Sequence, residues 1–303
     1  MRILIVGAGA TGGYFGARLA QAGRDVTFLV RERRFKQLQE NGLVLRTPQG
    51  VEKLQPQLTQ AGTLSGAYDL IILTVKSFGL AQAMADIAPA VGAQTLILPL
   101  LNGMRHLDTL RDLFGDRVLG GLVKINATLG AQGEVVQMTS LQQLCYGALD
   151  GNNDARLQRV DETLRAARVD ACLSDNIIGE MQEKWLLLST LGAVCCLARG
   201  DTQQVLTTEG GEALLRALFS EVLATLTADG YQPRPAVTAK ILESLNHPAK
   251  AMTSSMYRDL TQGFDIEAEQ VIGDLVRRAE RHGVSVPLLN AVYVNLQVYL
   301  QGR

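Results

Sequence analysis

The chain has 303 residues, an apolar fraction of 47%, a charged fraction of 19% and a formal net charge of −1. That length suits two domains of ordinary size, and the composition is that of a globular protein. The mixed charge gives no nucleic-acid footprint and no membrane-seeking surface; four cysteines without a C-x-x-C pair and three histidines give no metal-ligand spacing, so reduced core thiols are expected.

Ile3 to Val6 is an apolar run of strand type, and it feeds straight into Gly7-Ala8-Gly9-Ala10-Thr11-Gly12. A helix-like stretch, Gly13 to Ala22, follows at once. This order of strand, G-x-G-x-x-G and helix is what a dinucleotide-binding βαβ unit needs. Gly7 permits the tight turn, Gly9 lets the backbone approach a pyrophosphate, and Gly12 lets helix and strand pack closely. The pyrophosphate would then sit at the positive end of the helix dipole, on free N–H groups. The apolar start could be mistaken for a signal peptide, but the glycine fingerprint and the lack of a basic leading segment argue against one. A cytoplasmic protein is expected.

Arg24 to Val30 reads as the second strand. An NAD-binding unit places an acidic residue about 20 positions past the glycines, where it takes the ribose 2′-OH. Here that place holds Arg31, followed by Glu32, Arg33 and Arg34. A guanidinium at this strand end suits a 2′-phosphate, so the cofactor reading is NADP(H). The bland alternative is a solvated Arg/Glu helix start.

Leu70 to Val75 and Thr95 to Leu101 are continuous apolar runs, as expected of strands buried on both faces. Arg117 to Ile125, Glu134 to Met138, Gln143 to Tyr146 and Val169 to Leu173 read as further strands, with a helix over Asn152 to Ala167. From Asn176 onward the apolar spacing turns helical. Helices are expected over Ile177 to Arg199, Glu209 to Asp229, Arg234 to Asn246, Ile266 to His282 and, after Pro287, Leu288 to Leu300. The stretch Trp185 to Ala198 is too short to span a bilayer. An α/β domain over 1–175 and an all-helical domain over 176–303 follow. Ligand is expected at the C-terminal ends of the parallel strands, where the domains meet.

Two more strand ends carry polar side chains, Lys76 after Leu70 to Val75 and Asn102 after Pro99. Either can bond ribose, nicotinamide or substrate oxygens; either can also be a plain cap. Lys184 follows Glu180 and Glu183 and precedes a long apolar run. It reads equally as a pocket ammonium that polarises a ketone and donates a proton, or as a snorkelling surface lysine paired with Glu180. Thr253-Ser254-Ser255-Met256 with Asp259, then Asp265 and Glu267, can hold a small polar acid. Pattern alone favours capping there, with Ser or Thr opening one helix and Asp265 the next.

Taken together, these motifs resemble the ketopantoate reductase (2-dehydropantoate 2-reductase) family over nearly the whole chain. The likeness runs through Gly7-x-Gly9-x-x-Gly12, Arg31, Thr74-x-Lys76, Asn102-Gly103, the Lys184 helix, Ser254-Ser255-Met256-x-x-Asp259, Glu267 ahead of Gly273, and Pro287. The serine segment with Glu267 is the most specific part, the glycine fingerprint the least. The resemblance implies an N-terminal Rossmann-type domain, a C-terminal all-α domain, and NADPH-dependent reduction of a 2-oxo acid to a 2-hydroxy acid. It implies Lys184 as catalytic lysine and Glu267 as a carboxylate contacting substrate and cofactor ribose. Ser255 would bind substrate, Asn102 and Lys76 would make cofactor and active-site contacts, and Arg31 would contact the 2′-phosphate.

One departure matters. Family members usually carry asparagines four and eight residues after the catalytic lysine; here those places hold Leu188 and Gly192. The three positions share one helix stripe, so the substrate side of the pocket is altered. The expected activity is therefore reduction of 2-dehydropantoate to pantoate, as in pantothenate biosynthesis, or of a bulkier or less polar 2-oxo compound by the same scaffold. A non-catalytic NADP(H)-sensing protein is the alternative of another class. A homodimer and a monomer are equally consistent with the apolar helical half. His106, four residues after Asn102, reads as a helix-surface histidine or as a replacement polar group.

Overall fold

Strands whose every residue is apolar belong in a parallel sheet covered on both faces, and that is where the first runs are found. The computed structural model describes all residues, 1–303. The chain divides into two units: Met1–Leu101 with His106–Ile178, and Asn102–Arg105 with Gly179–Arg303.

In chain order the first unit holds β1 (Arg2–Val6), α1 (Ala10–Gln21), β2 (Asp25–Leu29), α2 (Glu32–Asn41), β3 (Leu43–Thr47), β4 (Gly50–Leu54), β5 (Gln57–Thr59) and β6 (Tyr68–Leu73). There follow α3 (Leu80–Ile87), β7 (Val91–Pro99), α4 (Arg105–Phe114, its first residue in the second unit), β8 (Leu119–Leu129), β9 (Val135–Ala148), α5 (Ala155–Arg165) and β10 (Asp170–Leu173). A parallel sheet has the order β5-β2-β1-β6-β7, with β1 central. The chain runs outward from β1 through β2 to one edge, then crosses back to β6 on the other side. Such a switch point opens a crevice at the carboxyl end of the central strand. Ile3, Leu4 and Ile5 of β1, with Leu70, Ile71 and Ile72 of β6, are wholly buried.

A second, mixed sheet has the order β10-β9-β3-β4, with β8 antiparallel to β9. It was not separated by sequence pattern. The β3–β4 hairpin is half exposed, and its one apolar run, Leu43-Val44-Leu45, is only three residues long. The two strands expected over 134–146 are one, β9; its middle, 138–141, is exposed and carries Thr139 and Ser140, so the apolar signal breaks there although the strand continues. His106 is not at a helix surface. It is 1% exposed on α4, whose apolar face it shares with Leu107 and Leu110.

The second unit is helical: α6 (Ile177–Ala198, entered from the first unit), α7 (Thr202–Leu206), α8 (Gly211–Ala228), α9 (Pro235–Leu245), α10 (Ser255–Thr261), α11 (Asp274–Arg281) and α12 (Pro287–Gln301). α6 is apolar nearly all round and its middle is buried, with Leu186, Ser189, Ala193 and Val194 at 0% exposure. A helix of that composition belongs in a core. Burial pushes its Cys195 and Cys196 thiols up to about 11 and about 12, so both stay protonated and inert. No helix is long and apolar enough to cross a membrane. Glu221 of α8 accepts from the Leu288 and Leu289 N–H groups (3.0 and 2.8 Å), which satisfies the start of α12 behind Pro287. The helix expected from Ile266 begins later, and Asp265 does not open it; Asp265 pairs instead with Arg303 (2.7 Å). Residues Glu269–Gly273 form a π-helical turn that runs on into α11.

Candidate functional site

The first unit contributes a backbone cradle. The chain leaves β1 at Gly7 with φ +96°, a conformation that side chains disfavour. Gly7 donates its N–H to the Leu29 carbonyl (3.0 Å), and Thr74, just past β6, donates its Oγ1 hydroxyl to the Val6 and Gly7 carbonyls (both 2.9 Å). A Cβ on Gly12 would lie 2.1 Å from the Gly7 carbonyl oxygen and 2.2 Å from Thr74 Oγ1. Only glycine lets α1 start this close to the strand. A Cβ on Gly9 would meet nothing within 4 Å, so that side of the loop is open.

Gly9 caps α1 without any side-chain bond, and no acidic residue stands in the first turn. The opening N–H groups at Ala10, Thr11 and Gly12 therefore present a positive dipole end with no carboxylate in competition. That fits a pyrophosphate. Ala8 is buried, and its carbonyl accepts from Arg34 Nε (3.0 Å). Arg34 also donates to the Gly133 carbonyl (2.8 Å) and to Gln37 Oε1 (2.6 Å), tying α2 and the β8–β9 turn to the glycine loop. Burial holds the Arg34 pKa below the ordinary arginine value. This brace was not found in the sequence, where Arg34 read only as part of a charged run.

Arg31 is the exposed N-cap of α2. Its Nη2 lies 3.6 Å from where a Cβ on Gly79 would stand, so the guanidinium borders the 3₁₀ turn Ser77–Gly79 that Lys76 caps. Lys76 is exposed and stands three residues past the end of β6. The two cations thus flank one corner of the unit.

The second unit contributes a side-chain pocket. Asn102, Leu188, Ser254, Ser255, Met256, Asp259, Glu267 and Val271 line it, around a void of about 20 Å³. Asn102 Nδ2 donates to Glu267 Oε2 at 3.4 Å, a long bond across 165 positions of sequence. The neighbouring Gly103 has φ +75°, and a Cβ there would lie 2.5 Å from the Gln270 carbonyl oxygen. Glycine at 103 is thus what lets the Asn102 segment lie against the chain after Glu267. Ser254 caps α10 by accepting the Tyr257 N–H (2.9 Å). Capping therefore claims Ser254 and leaves Ser255, exposed at the first helical position, to the pocket.

Lys184, partly exposed, precedes Leu188 by one turn of α6 on the same stripe. It is not among the pocket's lining residues. Gly192, the next step of that stripe, is covered by Met256: a Cβ at 192 would lie 2.9 Å from Met256 Cε.

The adjacent stripe of α6 anchors the π turn. Trp185, 1% exposed, donates its indole N–H to the Val271 carbonyl (3.0 Å), and Ser189 Oγ reaches the same oxygen (3.4 Å). Glu269 in that turn binds Arg105 (2.5 Å), the Tyr293 hydroxyl (2.6 Å) and Arg277. Burial pushes its carboxyl up, but Tyr293 and the arginines outweigh burial and hold it below the ordinary 4.5. Val271 and the π turn carried no motif, and Met256 stood in the serine segment without a role of its own; only their place next to named polar residues could have pointed to them.

The family model for ketopantoate reductase PanE/ApbA matches residues 3–151, and the model for its C-terminal domain matches residues 176–300. The chain is 32% identical over 300 residues to "Uncharacterized oxidoreductase YkpB" of Bacillus subtilis (strain 168), with 99% of each chain covered. It is 25% identical over 290 residues to the 2-dehydropantoate 2-reductase of Streptococcus pyogenes serotype M18, covering 95% of this chain and 94% of that one. Among solved structures, a PanE/ApbA family ketopantoate reductase from Ralstonia eutropha JMP134 superposes with a TM-score of 0.90 at 25% identity, covering 100% of this chain and 99% of that one.

Proposed function

The chain belongs to the ketopantoate reductase PanE/ApbA family, and on that premise we propose that it is an NADP(H)-dependent oxidoreductase that reduces a 2-oxo acid to the 2-hydroxy acid. The observation that carries this is the pocket: Asn102, Ser255 and Glu267, remote in sequence, line it together, and Lys184 stands one turn from its Leu188. Within the class, two substrates fit the same scaffold: 2-dehydropantoate, reduced to pantoate as in pantothenate biosynthesis in the cytoplasm, and a bulkier or less polar 2-oxo acid, which Leu188 and Gly192 on the Lys184 stripe favour. Residues 1–175 serve as the NADP-binding domain and residues 176–303 as the substrate and catalytic domain. A homodimer is compatible with this assignment.

In the first unit Gly7 to Gly12 would hold the pyrophosphate, Arg31 the 2′-phosphate, and Lys76 would make a further cofactor contact. In the second, Ser255 would bond the substrate carboxylate, and Asn102 and Glu267 would fix substrate and ribose hydroxyls. NADPH, when bound, supplies a hydride to the carbonyl carbon. The Lys184 ammonium polarises the carbonyl, donates its proton to the oxygen as charge develops there, and is reprotonated from solvent.

Purified protein should oxidise NADPH in the presence of 2-dehydropantoate or a related 2-oxo acid. Lys184→Ala should lower kcat by about 10²- to 10⁴-fold while NADPH affinity is kept. Tight NADPH binding without turnover on any 2-oxo acid would instead support an NADP(H)-sensing protein, and unchanged kcat in Lys184→Ala would remove the lysine from the mechanism.

A further inference from the structure

Resting on the 2-oxo acid reduction proposed above, we infer that Met256 is an adjustable gate for the substrate's side chain, and that the preferred substrate carries an apolar, branched or aromatic substituent beside its 2-oxo group. The pocket's residues fall into two chemical sets. Ser255, Asp259 and Glu267, with Asn102, supply donors and acceptors; Leu188, Met256 and Val271 supply hydrocarbon and a thioether.

The carboxylate and carbonyl oxygens of a 2-oxo acid only accept hydrogen bonds, so they take the donors Asn102 and Ser255 of the first set, and Glu267 takes a ribose hydroxyl as proposed above. What remains for the rest of the molecule is the second. A hydroxyl seated against Leu188 and Val271 would lose its water without gaining a partner, which costs far more than a missing methylene does.

The gap among these side chains is about 20 Å³, room for one water, so a branched or aromatic substituent enters between Leu188 and Val271 only as a lining side chain moves. Met256 is 5% exposed and fills the space beside Gly192, where a Cβ would lie 2.9 Å from its Cε. Its thioether end is the most flexible apolar group in the lining, with three rotatable bonds and a shape that refits easily. The main chain of Met256 is held meanwhile, because Ser254 caps α10 through the Tyr257 N–H (2.9 Å). The side chain is therefore free to swing on a fixed stalk. Its departure opens a slot bounded by Leu188, Gly192 and Val271. Gly192 has no side chain, so the slot reaches the α6 backbone, and its depth limits substituent size.

The experiment measures kcat/KM with NADPH for pyruvate, 3-methyl-2-oxobutanoate, 4-methyl-2-oxopentanoate, benzoylformate and 2-dehydropantoate. The wild-type protein should prefer one of the branched or aromatic acids to 2-dehydropantoate by about tenfold or more. Met256→Ala should move the preference toward the bulkiest acid, Gly192→Ala should move it toward pyruvate, and Leu188→Asn should shift the ratio toward 2-dehydropantoate by about tenfold. NADPH affinity should hold in all three, and Tm, measured alongside, shows that each is folded at the assay temperature. Should Met256→Ala fail to fold, Met256→Leu keeps the volume but stiffens the gate, and should lower kcat/KM most for the larger acids. A wild-type preference for 2-dehydropantoate, or substrate ratios that stay fixed in folded variants, would overturn the gate and leave 2-oxo acid reduction standing. No turnover on any of the acids, with NADPH bound, would overturn both.

Discussion

The glycine loop of the first unit and the pocket of the second recognise in opposite ways. The loop works with backbone: N–H groups at the start of α1, a carbonyl turn closed by Thr74, and glycines wherever a Cβ would collide. Almost any dinucleotide pyrophosphate satisfies it, because only peptide groups make the contact. The pocket is lined by side chains instead, Asn102, Ser255 and Glu267 beside Leu188, Met256 and Val271. On the proposed function, the first unit would carry generic cofactor chemistry and the second the choice of substrate. This is why family membership reaches the cofactor sooner than it reaches the oxo acid.

The contrast breaks most sharply at Gly12. Gly12→Ala places a methyl 2.1 Å from the Gly7 carbonyl oxygen and 2.2 Å from Thr74 Oγ1, both fixed groups of the cradle. The loop or α1 must shift, and the variant should bind NADPH at least about 100-fold more weakly, by fluorescence titration. Binding within threefold of wild type would show that the loop is not the pyrophosphate site. Arg31→Ala is milder and sharpens the comparison, since it removes a side chain and leaves the cradle intact. It should weaken NADPH by about 10- to 100-fold, the worth of a charge-assisted bond, and leave NADH unchanged. Arg31 is exposed, so added salt should narrow the difference between wild type and variant. A natural preference for NADH that survives Arg31→Ala would reverse the cofactor assignment.

What was legible in the sequence follows the same division. Residue type is dictated wherever geometry admits one answer, so Gly7, Gly9, Gly12 and the Leu70–Leu73 strand could be read directly. Helices of the second unit were readable from 3.6-residue spacing, with ends off by a residue or two at Gly211–Ala228 and Pro235–Leu245. The β3–β4 hairpin was not, because its one apolar run, Leu43-Val44-Leu45, is three residues long, and β4 sets Glu52 and Lys53 side by side without alternation. His106 was misplaced for a related reason: one polar residue on an apolar stripe is assigned to solvent by default, and burial at 1% came from packing no local pattern encodes. Asn102 looked like another strand end of the first half, yet Asn102–Arg105 groups with the helical unit, and only long-range contact to Glu267 and Gln270 reveals it.

The smallest expected effect concerns the π turn, which no motif announced. A π turn carries one residue more than the α-helical ladder accommodates, and such turns gather at functional sites. Here Trp185 of α6 donates to the Val271 carbonyl (3.0 Å), and the Ser189 hydroxyl, which donates to the Trp185 carbonyl (2.7 Å), stands 3.4 Å from the same oxygen; Val271 itself lines the pocket four residues past Glu267. Trp185 also follows Lys184 directly, so its indole links the proposed proton donor's helix to the segment that carries the proposed carboxylate. Trp185→Phe keeps most of the buried area but removes the N–H. The Ser189 hydroxyl, already donated to the carbonyl of residue 185 at 2.7 Å, does not replace it from 3.4 Å. Loss of one partner from a buried acceptor costs about 1–3 kcal/mol, which should appear as a fall in the urea midpoint at unchanged m. If the indole only stabilises, kcat will stay level. If it also positions Glu267 relative to Lys184, kcat should fall about tenfold while the KM for NADPH holds, since small misplacements at a reacting centre cost rate before they cost binding.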